Sequence, residues 1–397
     1  MRTCLAPIGY RKTCISLGAT IFALLSILLF LRFDPIATYI FKAEKPPSFA
    51  LHALDGLVCS GADTGGSSSP KSIPNIVHYI WILKDPTVFR LNFKHFISFY
   101  SAHLYFNPDV IYIHTDASPE LFERASKSGD DWTRRILAIP NVKYHRVDPL
   151  TETRKGVPVK LLEHKADFLR MDVLYEFGGI YMDSDTVPLR DISDLRNSGF
   201  ANVVGGAVAL TMKHSGKINN GVMMSEPRST LMNIYIQAAH QFFDGSWAKA
   251  SVLLLTDIAN RLAAIPHQVL ILQPTAFSPT SWEFADQKKL FEPHVDTLTG
   301  KGVFNLPSGE LKTCKDIFGW LEEKEKFKMD DWEIDFSSTY ILHAFDDDIP
   351  KIGKWDHKID VSYILSRQSN YARAVHPAIA HAISAGVITS EDTTPRR

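Results

Sequence analysis

The sequence predicts an α/β fold built around a mainly parallel sheet. Short apolar runs rich in β-branched and aromatic residues recur along the chain and alternate with stretches of helical periodicity, which is the pattern of a parallel sheet with crossover helices. The composition is that of an ordinary globular protein, since 45% of its 397 residues are hydrophobic and 22% are charged. Collagen-like, coiled-coil and disordered chains are therefore excluded, and the length suffices for one large domain.

The elements follow one another in a regular order. Ile76–Leu83 is the first candidate strand, and Phe89–Leu104 follows with apolar residues at helical spacing. Val110–His114 and Val142–Val147 are the next two candidate strands. A helix is predicted over Leu161–Phe177 because Gly178-Gly179 ends it. The later candidates are strands at Ile180–Met182, Val222–Met224, Val269–Leu272 and Tyr340–Ala344, and helices near 229–243 and 250–263.

Two carboxylates follow the short strand after the glycine pair. Asp183 and Asp185 come directly after Ile180–Met182, at the carboxyl end of a strand, where ligands bind in open α/β sheets. Carboxylates at this spacing present oxygen to a hard divalent cation such as Mg²⁺ or Mn²⁺. A bare Asp-x-Asp is a weak signal, because a solvated turn has the same pattern and Asp346–Asp348 repeats it.

The preceding helix carries a second charged pair. Asp167 and Arg170 are three residues apart and so share one face of the helix. An arginine in such a place binds a phosphate or holds a carboxylate. The alternative is an ion pair on the helix surface, which would have no functional role.

The N-terminus contains an uncharged run from Cys14 to Leu31. As a helix, its 18 residues would span about 27 Å, close to the thickness of the bilayer interior. Arg2, Arg11 and Lys12 precede it, so we expect a cytosolic tail at 1–13, a transmembrane signal anchor at 14–33 and a stem at 34–72, with the rest across the membrane. A cleaved signal peptide and a buried core helix are the alternatives.

Net charge bears on the binding partners of the chain, and the cysteines bear on its compartment. With 43 basic against 44 acidic residues, the chain has no general electrostatic reason to bind nucleic acid. Of its four cysteines, only Cys59 and Cys314 would face an oxidising lumen, and the sequence leaves their pairing open.

A longer string joins these residues in the order Ala166-Asp167, Arg170, Gly178-Gly179-Ile180-Tyr181 and Asp183-Ser184-Asp185. This string resembles the motifs of the family 32 glycosyltransferases, the DXD-containing sugar transferases that include fungal Golgi mannosyltransferases and α-1,4-galactosyltransferase. Further blocks resemble the family's opening strand, the segment after the DXD motif, a late proline-aromatic stretch and the terminal His strand; they are 73–81, 219–224, 274–282 and 340–345. The last block departs from the family, because Phe345 stands where tryptophan is usual.

The resemblance implies a GT-A-type, Rossmann-like single catalytic domain at 73–360, followed by an extension at 361–397. It implies that Asp185 is the direct metal ligand and that Asp183 contacts the donor and the metal shell. Asp167 and Arg170 would hold the donor sugar and diphosphate, and these four residues are the catalytic candidates. The cofactor would be Mn²⁺ or Mg²⁺.

Three further residues take donor-side or metal roles by the resemblance. Trp81 would stack on the nucleotide base, although a core aromatic is the alternative. His343 would complete the metal or diphosphate shell, although a core histidine is the alternative. Tyr181 is a donor-binding candidate whose side chain points either into the site or out of it.

The expected activity is metal-dependent, retaining transfer of a hexose, mannose or galactose first, from GDP-mannose or a UDP-hexose to a glycan or glycolipid. We expect a single-pass type II protein of the Golgi or endoplasmic reticulum membrane with its catalytic domain in the lumen; a homo-oligomer is open. One rival is a phosphohydrolase that uses Asp183 as nucleophile, since Asp183-Ser-Asp-Thr-Val187 also fits that signature. Another is a non-catalytic sugar-binding protein on the same fold.

Overall fold

A seven-stranded sheet forms the centre of the computed structural model, which describes residues 72–207, 216–294, 318, 319, 322, 330–345 and 359–392. Its strands are β1 (Ile76–Trp81), β2 (Val110–Thr115), β3 (Val142–Arg146), β4 (Gly179–Met182), β6 (Asn202–Gly206), β7 (Ile218–Ser225) and β8 (Val269–Leu272). A separate two-stranded ribbon pairs β5 (Thr186–Pro188) with β9 (Ile341–His343).

The strand order is β3-β2-β1-β4-β7-β6-β8. Four neighbouring pairs are parallel, and only the two pairs that β7 makes, with β4 and with β6, are antiparallel. The prediction of an α/β fold with a mainly parallel sheet is therefore confirmed. The central strands are apolar because helices cover both faces of such a sheet.

The helices in the described residues are α1 (Phe93–Phe106), α2 (Pro119–Ser128), α3 (Asp131–Leu137), α4 (Leu162–Phe177), α5 (Ser193–Arg196), α6 (Thr230–Phe242), α7 (Leu254–Leu262), α8 (Pro274–Phe277), α9 (Phe284–Phe291), α10 (Val361–Ser366) and α11 (Asn370–Ser384). A π-helical turn, Lys249–Leu253, leads into α7. The predicted helix at Phe89–Leu104 begins later than expected, at Phe93, whereas the helix predicted near 250–263 is formed by this π-helical turn together with α7. For the first, Asn92 sets the start, because its side chain caps the backbone N–H of His95 at 3.2 Å.

The glycine pair after α4 is required by its backbone geometry. Gly178 and Gly179 have φ angles of +64° and +101°, where side chains are rarely tolerated. A Cβ on Gly178 would lie 2.6 Å from Cδ of Pro227, and one on Gly179 would lie 2.4 Å from the Ile76 carbonyl oxygen. The predicted helix stop is thus confirmed, and it turns the chain directly into β4 and the two aspartates.

The predicted strand at Tyr340–Ala344 forms, as β9, outside the main sheet. It pairs antiparallel with β5, so that Thr186 lies opposite His343. The backbone N–H of Ala344 also donates to the carbonyl oxygen of Asp185 at 3.0 Å. This ribbon holds His343 beside the Asp183–Asp185 segment.

Three histidines form a hydrogen-bonded chain across β1, β2 and β3. Nε2 of His78 lies 2.7 Å from the Gly178 carbonyl, which accepts its proton. Nδ1 of His78 lies 2.9 Å from Nε2 of His114, and Nδ1 of His114 lies 2.9 Å from Nδ1 of His145. The rings pack around Phe177 at the end of α4. His78 therefore has a structural place in the core.

Residues set apart as a C-terminal extension contribute to the core. Helix α11 packs against α1, and the Tyr100 hydroxyl lies 2.9 Å from Nδ1 of His381. Tyr371, Val375 and Ile379 are fully or almost fully buried. The start of the predicted extension is thus helical and joined to the hydrophobic cluster of the sheet domain.

Several predictions fall outside the described residues. They concern the tail at 1–13, the signal anchor at 14–33, the stem up to residue 71, the cysteines Cys59 and Cys314, and Asp346–Asp348. Across the part of the chain that the structure describes, no helix combines the length and hydrophobicity needed to cross a membrane.

Candidate metal and donor site

A large cleft opens at the carboxyl ends of β1 and β4. Its volume is about 1520 Å³, and every predicted site residue lines it: Trp81, Asp167, Arg170, Tyr181, Asp183, Asp185 and His343. These residues come from positions up to 262 apart in the sequence, and the sheet topology and the β5–β9 ribbon bring them together.

Asp183, Asp185 and His343 form a cluster of possible metal ligands. One ligand atom from each lies within 4.8 Å of the others. Nε2 of His343 lies 3.3 Å from Oδ1 of Asp185 and 3.9 Å from Oδ2 of Asp183. Two carboxylates and one imidazole are the donor types that bind Mn²⁺, whereas Mg²⁺ prefers oxygen alone.

Two features of this cluster fit a bound cation. Nδ1 of His343 is buried and has no hydrogen-bond partner within the described residues. Gly221 on β7 leaves open space beside it, because a Cβ there would lie 2.7 Å from Oδ2 of Asp183 and 2.4 Å from Cε1 of His343. The backbone N–H of Asp183 donates to the Gly221 carbonyl at 2.8 Å, which holds the two strands together.

Arg170 is the hub of a buried network beside the cluster. Its guanidinium lies 3.2 Å from Oδ1 of Asp167 and 3.4 Å from Oδ1 of Asp183. It also donates to the Asn220 carbonyl at 2.8 Å and lies 4.7 Å from the centre of the Tyr181 ring. The side chain of Asn220 donates to Asp167 at 2.8 Å. Asp167 and Arg170 are thus not a surface ion pair, since their side chains are only 16% and 7% exposed.

Tyr181 points into the cleft. Its ring is buried, and its hydroxyl donates a short hydrogen bond to Oδ1 of Asp183. Burial raises the pKa of Tyr181 well above its usual value, so the hydroxyl keeps its proton and remains a donor. Together with Arg170, it fixes one oxygen of Asp183 and leaves Oδ2 facing His343.

The mutual attraction of Asp185 and His343 shifts both pKa values toward the ionised forms. Burial alone would raise the pKa of Asp185, but the charge of His343 and its hydrogen bond bring the pKa below its usual value. Burial opposes protonation of His343, yet the attraction of Asp185 raises its pKa. For Asp167, burial raises the pKa despite the nearby Arg170. The raised pKa of His343 favours its protonation, and a cation bound by the same group would compete with that proton.

Trp81 lies at the end of β1 and is half-buried. Its ring packs edge-on against His95, with 4.7 Å between ring centres, and His95 itself is buried at the start of α1. Part of the indole therefore faces the cleft, and part packs inside the protein against His95.

Sequence reasoning missed three residues of the site. Asn220 and Gly221 lie within the block 219–224, so the block marked the segment without giving their roles. Lys94 lines the cleft, and its charge contributes to the lowered pKa of Asp185. Its place in the first turn of α1 gave no separate signal.

Comparison with known proteins confirms the predicted resemblance to DXD-containing glycosyltransferases. The family model described as "Glycosyltransferase sugar-binding region containing DXD motif" matches residues 94–201. That stretch includes Asp167, Arg170, Tyr181, Asp183 and Asp185, whereas Trp81, Asn220 and His343 lie outside it. The segment that carries the two aspartates is thus similar to the DXD-containing sugar-binding region of glycosyltransferases.

Two named relatives are similar to part of this chain. Glucan organizing enzyme 1 of Cryptococcus neoformans is 25% identical over 240 residues, which cover 58% of this chain and 61% of that protein. The human lactosylceramide 4-alpha-galactosyltransferase is 28% identical over 142 residues, covering 33% of this chain and 36% of that protein. The chain thus spans less than two thirds of either relative.

Among solved structures, the glycosyltransferase GlyE of Streptococcus pneumoniae is 13% identical. The match covers 81% of this chain and 66% of that one, with a TM-score of 0.38.

Proposed function

We propose that this protein is a metal-dependent, retaining hexosyltransferase that uses a nucleotide-sugar donor on a GT-A-type fold. The observation that carries the proposal is the meeting of Asp183, Asp185 and His343 at one strand end, within and beside a matched glycosyltransferase DXD region. The buried Arg170 network next to it supplies a fixed positive charge for a diphosphate.

The donor set suits Mn²⁺, held by Asp185, Asp183 and His343. When bound, such an ion neutralises the diphosphate and so stabilises the leaving group. Gly221 keeps the space beside Asp183 and His343 open for it. Protons must leave His343 before it can act as a ligand, which makes cation binding weaker at low pH.

The protein's own residues position the donor. Arg170 is held from three sides by Asp167, Asp183 and the Asn220 carbonyl, so its guanidinium is ordered before the donor binds. Asp167 has a second oxygen with which to accept a sugar hydroxyl, since Oδ1 is taken by Arg170 and Asn220. Trp81 offers a partly exposed indole face to the nucleotide base.

The proposed transfer breaks the bond between the anomeric carbon and the phosphate oxygen and forms a bond from that carbon to an acceptor hydroxyl oxygen. The departing phosphate oxygen takes the acceptor's proton on the same face of the sugar. Configuration is thereby retained, and no separate protein base is needed. The products are the glycosylated acceptor and a nucleoside diphosphate.

The donor, acceptor and location extend the proposal. GDP-mannose or a UDP-hexose is the donor, and a glycan or glycolipid is the acceptor; the names of the two relatives, a glucan-organizing enzyme and a lactosylceramide galactosyltransferase, support a sugar acceptor of either kind. The uncharged run Cys14–Leu31 supports a type II anchor in the Golgi or endoplasmic reticulum membrane, with the site in the lumen.

The experiment is donor hydrolysis by the purified full-length chain in detergent. GDP-mannose, UDP-galactose and UDP-glucose are each supplied with Mn²⁺, with Mg²⁺ or with EDTA, and released nucleoside diphosphate is measured. We expect turnover of one donor that requires the cation and is lost in Asp185→Asn. Turnover insensitive to EDTA would contradict the metal dependence, and a phosphorylated Asp183 trapped from a phosphate ester would favour the phosphohydrolase rival instead.

A further inference from the structure

The cleft is larger than a donor alone requires. Small-molecule sites commonly measure about 300–1,000 Å³, whereas this cleft measures about 1520 Å³. Space therefore remains beside the predicted donor contacts for a second ligand. Two exposed tryptophans, Trp247 and Trp282, also line the cleft.

Trp247 is the most exposed large aromatic of the cleft, with 65% of its surface accessible. It also lines a small neighbouring cavity together with Asp167 and Ser251, which places it on the Asp167 side of the metal cluster. An indole exposed in a cleft offers a large apolar face with which a ligand can stack.

The loop that carries Trp247 is rigid. Oδ1 of Asp244 accepts from the backbone N–H of Ser246 at 3.0 Å, and Oδ2 of Asp244 pairs with Lys249 at 2.6 Å. The carbonyl of Trp247 accepts from the Ser251 hydroxyl at 3.2 Å, within the π-helical turn Lys249–Leu253. π-helical turns are frequent at functional sites. These contacts brace the backbone on both sides of Trp247, and the two charges beside it neutralise each other.

Trp282 also lines the cleft and is 37% exposed. It packs edge-on to Phe345, with ring centres 6.0 Å apart, and Phe345 stacks on His343 at 3.7 Å. The buried side chain of Gln287 donates to the carbonyls of Ser281 and Ala344, at 2.8 Å and 3.0 Å. The position of Trp282 is therefore fixed relative to the metal cluster.

From these observations we propose that Trp247 and Trp282 are the stacking surfaces of the acceptor site and bind a neutral oligosaccharide of at least two sugar units. The apolar C–H face of a hexose ring covers an indole, while its hydroxyls stay at the polar edge. Paired charges beside Trp247 favour a neutral ligand over a charged one. The inference rests on the proposed function, because it assigns the second substrate of the same site.

The test is binding of lactose and of α-1,2-mannobiose to the full-length chain by saturation-transfer NMR, in the presence of Mn²⁺ and GDP or UDP. We expect one disaccharide to bind wild type, and Trp247→Ala and Trp282→Ala each to weaken its binding about tenfold. Both side chains are exposed, so the fold should tolerate the change. Phe284→Ala is the matched control, since Phe284 is 61% exposed and near Trp282 but does not line the cleft.

Affinity for the nucleoside diphosphate with Mn²⁺, measured on the same variants by calorimetry, separates the two proposals. Unchanged nucleotide affinity with weakened sugar binding supports the acceptor site. Sugar binding that is absent in wild type, or equal in wild type and both variants, overturns it. Loss of nucleotide affinity in either variant also overturns it, because the indole would then serve the donor. Failure of wild type to bind any nucleotide with Mn²⁺ refutes the proposed function itself.

Discussion

Gly221→Ala tests the metal cluster without removing a ligand. The new Cβ would lie 2.4 Å from Cε1 and 2.8 Å from Nδ1 of His343, and 2.7 Å from Oδ2 of Asp183, where ordinary contacts measure 3.4–4 Å. Gly221 is on β7, hydrogen-bonded to Asp183 through its carbonyl, so the backbone cannot retreat without breaking that bond. His343 and Asp183 must move instead.

The size of the effect follows from these distances. Relief of the contact with Cε1 needs a displacement of about 1 Å, whereas metal ligands tolerate only about 0.2 Å. A misplacement of about 1 Å in a catalytic site costs about 100-fold in rate. We therefore expect Gly221→Ala to lower Mn²⁺-dependent donor hydrolysis at least about 100-fold.

The assay pairs donor hydrolysis with a Mn²⁺ titration followed by electron paramagnetic resonance, and circular dichroism verifies the fold. Gly319→Ala is the matched control, because a Cβ there would meet nothing within 4 Å. If Gly221→Ala keeps Mn²⁺ affinity and turnover within about threefold of wild type while it is folded, the cluster does not hold the cation.

Three other changes probe the same architecture. Asp185→Asn should raise the Kd for Mn²⁺ at least about 100-fold in the same titration, since even an outer-shell partner is worth about 10–100-fold; unaltered affinity would refute the ligand role. Arg170→Met should lower the free energy of unfolding in urea by about 3–5 kcal/mol, because it leaves buried carboxylates unpaired; a stable variant would show that the network is dispensable. Acid should also destabilise the fold: burial lowers the pKa of His78 to about 4, of His95 to about 3 and of His114 to about 2. Below pH 6.5 these histidines are protonated in the unfolded chain, whereas burial keeps them neutral in the folded chain. The stability that the neutral, buried histidines allow is therefore complete above pH 6.5 and is lost as the pH falls. Between pH 7.5 and 5.5 urea unfolding should show a loss on the order of 1 kcal/mol per histidine, and equal stability at both pH values would contradict it.

Local signals in the sequence predicted much of the fold. The glycine stop at Gly178, the strand Val269–Leu272 and the parallel sheet all follow from apolar periodicity and backbone restrictions that act over a few residues. The pairing of β5 with β9 does not, because it joins Thr186 to His343 across a separation that no local pattern encodes. His343 was placed beside Asp185 only by resemblance to a family.

The finer parts of the site depend on long-range packing. The contact between Asn220 and Asp167 and the space left by Gly221 arise where β7 lies antiparallel to β4, and that inversion within a mainly parallel sheet is not visible in either strand alone. Trp81 could be read either as core or as a ligand contact; it packs edge-on against His95 and also lines the cleft, and its stacking on a nucleotide base stays a prediction. The exposure of Trp247 also depends on the fold. An isolated tryptophan in a sequence usually indicates a buried core position, whereas Trp247 is exposed.

The most direct test of the central claim is calorimetric binding of a nucleoside diphosphate to the full-length chain with and without Mn²⁺. The claim is that Asp183, Asp185 and His343 hold a cation that binds the donor diphosphate. It predicts that GDP or UDP binds wild type only with Mn²⁺, and that the Asp185→Asn variant loses this Mn²⁺-dependent binding. Equal nucleotide affinity with Mn²⁺ and with EDTA, or no binding of either nucleotide, would contradict it.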